Sequence, residues 1–533
     1  MSKLEKIRRD FKIEVPDTLK GSIALKQAEI NNNSELKKIF PNTFSQPFFD
    51  LIKESESKKE SKKIKVGIVF SGGPAAGGHN VIWGLFDKLI QLNPNNELIG
   101  FLDGPSGIIN NETKSICKKD VDSIKNQGGF DFIGSGRTKI ETQDQLKSSL
   151  QTVKDLNLDG LVVVGGDDSN TNAAVLAEYF LENSCNTKVV GVPKTIDGDL
   201  KNDFLSISFG FDTACKVYSE LIGNLQKDAL SSKKYYHFIK LMGRSASHIA
   251  LECALKTQPN LTIIGEEVNK KNYSLNQIVS SMSSLIIKRS KKNKNYGVFL
   301  IPEGLIEFIP EIKLLIEELN NLLSNDESIK EDPSKLRSLL SDNSKKLFFS
   351  LPIKIQKQFL LDRDPHGNIQ LSHIETEKLL AQMVKDDLMK KKEVIKFNPI
   401  FHFFGYEGRC AFPSNFDATY CYCLGLLSII LISNNITGYM SCIYDVKKNI
   451  QDWKVKAVPL ISLINLEQRL GKNKPVIKKH IVDLNSKAYD FFIKNRGEWM
   501  ENDYYLNIGP MQFFSENKDL VDSIPNIVYL NEE

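Results

Sequence analysis

The sequence predicts an α/β protein: mainly parallel sheets sandwiched between helices in two domains, with a helical insertion and an N-terminal extension. Three observations carry that prediction. From Ile64 onward, short β-branched or aromatic runs alternate with helix-length stretches, the βαβ rhythm of a parallel sheet. Several of these runs break into glycine or proline and then into charged residues, which belongs to the carboxyl edge of an open sheet, where ligands bind. Finally, 533 residues are enough to bury two or more cores.

Residues 1–60 read as an N-terminal extension of helical character, ending in the polar run Lys53–Lys63, a solvated linker rather than a binding patch. Residues 61–235 read as the first α/β domain. Its opening strand, Lys65–Phe70, runs into the loop Ser71–Gly78 and a helix from about Asn80. Glu97–Leu102, Leu161–Val164 and Val189–Val192 follow as strands. Residues 236–450 read as the second domain, with strands at Phe238–Met242, Leu261–Ile264 and Gly297–Ile301. Lysine- and glutamate-rich helical stretches over about 311–392 form an insertion within it. Residues 451–533 read as a C-terminal segment packing back on both domains. No solenoid-type repeat is present.

The bulk properties exclude several classes. A net charge of +4, from 70 basic and 66 acidic residues, is too balanced for a nucleic-acid binder. No window approaches the roughly 20 apolar residues of a membrane helix, and Cys423–Ile432 reads as a buried core element. The N-terminus lacks the apolar stretch of a secretory signal and is not a typical transit peptide, and the C-terminus shows no targeting address. Eight scattered cysteines without a C-x-x-C pair suggest reduced thiols in a cytoplasmic protein, not a metal site.

Four segments carry candidate chemistry. Ser71–Gly78 lies between a strand and a helix, where glycine amides and a helix N-terminus can cradle phosphate; a tight packing turn is the competing reading. In Gly165-Gly166-Asp167-Asp168-Ser169, Asp167 can hold a hard cation that bridges phosphate oxygens, or one aspartate can simply cap the helix 170–181. Lys194-Thr195-Ile196-Asp197-Gly198-Asp199 sets two carboxylates at a spacing of two, which share a face on extended backbone. One could take a proton from an attacking hydroxyl while the other orients it or adjoins a metal; a turn-stabilising or calcium loop is the alternative. Met242-Gly243-Arg244 follows a strand and offers a guanidinium to a transferring phosphoryl group. Arg409 could do the same, although either arginine could equally be a surface residue.

At these residues the chain resembles the phosphofructokinases, and specifically their long, pyrophosphate-dependent form. The matching segments are SGGPAAGGHN, FLDGPSG, FIGSGRTKIET, VVVGGDDSNTNA, GVPKTIDGDLKN, SFGFDTA, KLMGRSASHIALE, IPEGL and YEGRCAFPSNFD, in the family's order from Ile64 to Asp417. The resemblance implies two Rossmann-like αβα sandwich domains and reversible phosphoryl transfer from pyrophosphate to the 1-hydroxyl of fructose 6-phosphate, in glycolysis. It implies Asp197 as general base and Thr195 and Ile196 beside the sugar. Asp167, with Asp199, is implied as the Mg²⁺ site. Gly73 and Arg137 are implied at the phosphoryl donor. Met242, Gly243, Arg244 and Glu303 are implied at the sugar, and Tyr406, Glu407, Gly408 and Arg409 at its phosphate. Lys234 and Tyr235 fall where the family reaches into a neighbouring subunit, which implies a homodimer. Pro74 and Tyr406 depart from the short ATP-using pattern without removing a catalytic residue.

The same resemblance assigns donor choice to two positions. ATP-using relatives usually carry glycine where Asp168 and Lys194 stand here; the pyrophosphate-using forms carry aspartate and lysine. Side chains there would fill the room a nucleotide needs, and Lys194 would support a charged leaving group. A carboxylate beside phosphate also needs a compensating cation, for which Lys194 is the sequence candidate. The rival readings are an ATP-dependent phosphofructokinase and a catalytically silent regulatory subunit. The second sits poorly with the retention of Asp167, Asp197 and Arg244.

Overall fold

The computed structural model describes residues 3–20, 23–30, 34–53, 62–330, 332–361, 373–392, 395–469, 472–514 and 524–531. The chain forms two compact units. The first comprises Met1–Ala214, Tyr406–His480 and Met511–Glu533; the second comprises Cys215–Gly405 and Ile481–Pro510. The chain therefore crosses between them after residues 214, 405, 480 and 510, whereas the sequence reading set its boundaries near 235 and 450.

With strands numbered along the chain, the first unit carries one nine-stranded sheet. Its order is β1 (Ile23–Ile30), β2 (Pro47–Lys53), β13 (Lys454–Pro459), β12 (Tyr439–Tyr444), β7 (Lys188–Pro193), β6 (Gly160–Gly165), β3 (Lys65–Phe70), β4 (Glu97–Phe101) and β5 (Thr113–Ile116). The five central strands, from β12 to β4, run parallel, and the flanking pairs are antiparallel. Every residue of β6 is buried, as a strand covered on both faces requires, which explains its unbroken apolar run.

The N-terminal extension differs from its helical expectation. After a short helix, Lys3–Arg9, it forms β1 and β2, which pair with each other and join the sheet through β13. Lys456 and Asp50, opposite one another in that register, form an ion pair at 3.3 Å. The helical reading failed because strand partners some 400 residues away decide this segment's state, not local propensity. Most of the expected linker, residues 54–61, lies outside the described residues.

Helix Asn415–Ser433 is the one helix among the described residues long and apolar enough to cross a membrane, yet it is almost wholly buried in the first unit. It crosses helix Gly78–Leu92 closely: a Cβ on Gly84 would lie 2.1 Å from the Tyr422 carbonyl, and one on Gly425 2.4 Å from that of Val81. A helix apolar all round is a core helix here, as Cys423–Ile432 suggested.

The second unit carries a four-stranded, all-parallel sheet in the order β11 (Pro399–Phe404), β8 (Tyr236–Leu241), β10 (Gly297–Pro302), β9 (Leu261–Thr262). The region 311–392 is helical as expected, with helices at Pro310–Asn325, Asp342–Ser350, Ile353–Leu361 and Thr376–Lys390. Leu319, Phe348 and Leu380 of these helices share one core with Phe238 and Phe299 of the sheet. β14 (Ile464–Arg469) and β15 (Lys472–Ile477) make a hairpin in the first unit.

Candidate active site

In the first unit, three loops leave the carboxyl ends of neighbouring parallel strands. Phe70 of β3 stands opposite Val164 of β6, and Gly165 of β6 opposite Pro193 of β7. The segments after residues 70, 165 and 193 are therefore delivered side by side, at the edge where open sheets bind ligands. The Asn170 side chain fixes the middle loop by donating to the carbonyls of Gly165 (2.7 Å) and Gly166 (2.9 Å). The Lys194 amide donates to Gly165 as well, at 2.9 Å.

The two ends of the glycine loop differ in what they face. Gly77 and Gly78 are packing residues: a Cβ there would meet Cys421 Sγ at 2.4 Å and the Phe130 ring at 2.1 Å. Gly72 and Gly73 instead face cations. Gly72 holds φ +88, and a Cβ on it would lie 3.4 Å from Lys194 Nζ. One on Gly73 would lie 3.5 Å from a terminal nitrogen of Arg409 and 3.7 Å from one of Arg137. Lys194 Nζ donates to the Gly73 carbonyl at 2.8 Å.

Three cations thus converge on a strip of backbone without side chains. Burial drives the Lys194 pKa down to about 8; Asp197 and Asp167 oppose that shift, while Arg409 and Arg137 add to it. A buried ammonium beside two guanidinium groups calls for an anion. The sequence reading grouped Tyr406, Glu407, Gly408 and Arg409 with the sugar-binding domain 236–450; they lie in the first unit, on the short helix Tyr406–Arg409. Arg409 stacks over the Tyr406 ring at 4.9 Å and reaches the glycine loop. Arg8, buried between the Phe11 and Phe513 rings, bonds the Pro413 carbonyl and Asn415 and so anchors the chain that follows Arg409.

Asp167 and Asp168 open helix Asp167–Glu182, whose N-cap is Gly166, so neither aspartate is the N-cap. Two lysines that sequence reasoning missed meet them. Lys139 pairs with Asp168 at 3.0 Å, and Lys479 approaches Asp167 at 3.5 Å. Lys139 is thus a cation on Asp168 that the sequence reading, which proposed Lys194 for that role, did not name. Lys139 lies inside the matched segment FIGSGRTKIET, two residues after Arg137, and could have been found there. Lys479 follows the β14–β15 hairpin, far from any recognised motif, and nothing in the sequence marked it.

The Lys194–Asp199 segment is a turn, not extended backbone. Thr195 Oγ1 accepts from the Asp197 amide at 3.0 Å, Gly198 takes φ +72, and the Ile196 side chain is buried. The turn still brings the carboxylates together. Burial, then Asp197 and Asp167, push Asp199 up to about 7 against the pull of Lys479. The Asp199 carbonyl accepts from the His480 amide at 2.7 Å, so the segment leaving the hairpin also anchors this turn.

Asp197 and Asp167 both crowd the Asp199 carboxylate beside this cluster of cations, an arrangement that a divalent cation would relieve. Among the described residues no three His, Cys, Asp or Glu side chains gather as a ready-made metal cage. A cation at this edge would be held by one or two carboxylates together with ligand oxygens and water.

In the second unit, β8, β10 and β11 end level, with Leu241 opposite both Pro302 and Phe404. Met242, Gly243, Arg244 and Glu303 therefore share one sheet edge. The Gly243 amide donates to buried Glu303 at 3.0 Å, and Gly243 adopts φ +132. A Cβ on Gly304 would overlap the Arg244 carbonyl at 1.9 Å, so the two loops interlock; the Arg244 side chain is exposed. Lys234 and Tyr235 precede β8, at the opposite end of the strand, with Lys234 over the Tyr235 ring at 5.3 Å. At about 3.3 Å per residue the strand separates them from Met242 by roughly 25 Å.

Comparison with known proteins agrees with this architecture. Residues 65–338 match the family model described as phosphofructokinase. The chain is 47% identical over 534 residues to pyrophosphate--fructose 6-phosphate 1-phosphotransferase of Entamoeba histolytica, covering 97% of each chain. It is 47% identical to the Treponema pallidum protein of that name (96% and 94% covered) and 46% identical to subunit beta 1 of the Arabidopsis thaliana protein (97% and 93%). Among solved structures, the pyrophosphate-dependent phosphofructokinase of Nitrosospira multiformis shares the fold at a TM-score of 0.56 and 15% identity, covering 88% of this chain and 97% of its own. With the family model spanning half of the sequence and these relatives nearly all of it, the chain belongs to the phosphofructokinase family.

Proposed function

We propose that the chain is a pyrophosphate-dependent 6-phosphofructokinase that transfers a phosphoryl group reversibly between pyrophosphate and the 1-hydroxyl of fructose 6-phosphate. The observation that carries this reading is the cluster of Lys194, Arg137 and Arg409 around Gly73, at the carboxyl edge of the sheet. Asp197 accepts the proton of the 1-hydroxyl as its oxygen bonds to phosphorus. The bridging P–O bond breaks, phosphate leaves, and Lys194 with the arginines offsets the charge it carries away. Arg244 and Glu303 bind the sugar phosphate. Mg²⁺, held by Asp167 with Asp199, would draw charge from the phosphate oxygens when bound.

Asp168 and Lys194 set donor choice, and Lys139 makes Asp168 tolerable beside a phosphate. Because Lys234 and Tyr235 stand at the far end of β8, their role in sugar binding is exercised in a neighbouring copy, which supports a homodimer. The eight free cysteines, six of them buried, support a cytoplasmic protein. The test is to incubate the chain, expressed alone, with pyrophosphate, fructose 6-phosphate and Mg²⁺. Formation of fructose 1,6-bisphosphate and phosphate is expected; an inactive chain that gains activity only with a second subunit would favour the silent-subunit reading.

A further inference from the structure

The segment that leaves the β14–β15 hairpin carries a lysine to the acids that the proposed reading assigns to the divalent ion. Residues 477–480 are tied by their backbone to both acidic segments. Ahead of Lys479, the Ile477 amide donates to Thr171 Oγ1 at 3.1 Å, and that hydroxyl donates to the Asp167 carbonyl at 2.9 Å. After it, the His480 amide donates to the Asp199 carbonyl at 2.7 Å. Ile477 is itself buried, and the Lys478 amide donates to the Leu463 carbonyl at 3.1 Å. Lys479 is therefore delivered from a fixed stretch of backbone.

Its ammonium stands 3.5 Å from Asp167, with 37% of the lysine side chain and 20% of the aspartate side chain exposed. A pair sheltered to this degree is screened less by salt than one on the open surface. The same charge reaches Asp199, where it counters the repulsion of Asp197 and Asp167. Lys194 also feels Asp167 but is committed elsewhere, with its Nζ bonded to the Gly73 carbonyl at 2.8 Å.

A fixed positive charge beside cation-binding carboxylates has two effects of opposite sign. It repels a free divalent ion. It attracts the same ion once pyrophosphate has complexed it, because that complex is anionic. We propose that Lys479 is a specificity-determining residue for the donor: it keeps Asp167 and Asp199 from taking up a bare divalent cation and favours the entry of that cation as a complex with pyrophosphate. The inference deepens the proposed activity and rests on it for the identity of the donor. Repulsion between a single and a double charge at this range is worth about tenfold in affinity even at the dielectric constant of water. An ion pair that only pinned the hairpin would behave differently, since its loss would loosen both acids and weaken both ligands.

The test uses the full chain, with Mn²⁺ as the probe, at constant pH and ionic strength. Electron paramagnetic resonance reads the binding of free Mn²⁺. Equilibrium dialysis with labelled pyrophosphate reads the binding of the preformed Mn²⁺–pyrophosphate complex. Lys479→Met keeps the length of the side chain and loses its charge; the site is partly exposed, so the change empties no core. It should bind free Mn²⁺ about tenfold more tightly than the wild type and the complex about fivefold more weakly. Lys479→Arg keeps the charge and should resemble the wild type in both. Adding Asp167→Asn to Lys479→Met should remove the gain in Mn²⁺ affinity, which assigns the ion to this site. The proposal requires both shifts. Free Mn²⁺ bound no more tightly by Lys479→Met, including the case where no protein binds it measurably, overturns it. So does an undiminished affinity for the complex, a gain that survives Asp167→Asn, or a Lys479→Arg protein that behaves like Lys479→Met. Opposite shifts in a chain that forms no fructose 1,6-bisphosphate would uphold the role of Lys479 and defeat the activity reading.

Discussion

Lys194→Met removes the most exposing residue of the account, because it separates stability from function. Lys194 is 7% exposed, and burial pulls its pKa from 10.5 to about 8. At about 1.4 kcal/mol for each tenfold change, the charged form costs the ligand-free fold about 3 kcal/mol. Below pH 8 both the folded and the unfolded chain hold the proton, so the whole cost applies. It recedes as pH climbs from about 8 towards 10.5, where only the unfolded chain stays protonated. Methionine keeps the length of the side chain and loses the bond to the Gly73 carbonyl, worth about 1 kcal/mol. The variant should therefore be more stable without ligand by about 2 kcal/mol at pH 7, a rise of a few degrees in melting temperature. Its kcat/KM for pyrophosphate should fall about 100- to 1,000-fold, as when a donor to a developing anion is removed. Pyrophosphate, which raises the melting temperature of the wild type, should raise that of the variant far less. Scanning fluorimetry and steady-state kinetics read both effects. A variant less stable than the wild type without ligand, or one within tenfold of its kcat/KM, would refute the reasoning.

Three other outcomes follow from the same geometry. Lys139→Met removes a cation from Asp168 and should raise the KM for pyrophosphate severalfold in the wild type but not in an Asp168→Gly background; equal effects in both would separate Lys139 from Asp168. Asp197→Asn should lower kcat by about 100- to 10,000-fold, the usual range for a general base, while pyrophosphate still shifts the melting temperature; a small loss in kcat would remove Asp197 from proton transfer. Wild-type affinity for pyrophosphate should weaken as pH rises through about 8, where unliganded Lys194 loses its proton, and Lys194→Arg should flatten that limb because its charge persists. Parallel profiles for the two proteins would show that another group titrates.

The parts of the fold that were legible in the sequence are those whose environment imposes a local pattern. β6 and β7 are covered on both faces and read as uninterrupted apolar runs; their register then places Asp167 beside Lys194 with no further information. β1 and β2 were not legible, because what makes them strands is the edge offered by β13. The site divides in the same way. The glycines and the acidic turns leave compositional marks, since close backbone approach and positive φ restrict the residue type. Lys479 leaves none: a lysine on a loop looks the same whether it faces water or Asp167, and Lys139 was within reach only through the segment FIGSGRTKIET that contains it. Arg409 was recognised, but its position beside Gly73 depends on the short helix Tyr406–Arg409 being folded into the first unit, a long-range fact that no window of sequence contains.

The central claim is that this site is built for pyrophosphate. The most direct test is the ratio of kcat/KM with pyrophosphate to that with ATP, measured with fructose 6-phosphate and Mg²⁺ on the wild type and on the Asp168→Gly, Lys194→Gly double variant. The account predicts a ratio well above one for the wild type and a large fall in the double variant. Faster turnover with ATP in the wild type, or an unchanged ratio in the variant, would contradict it.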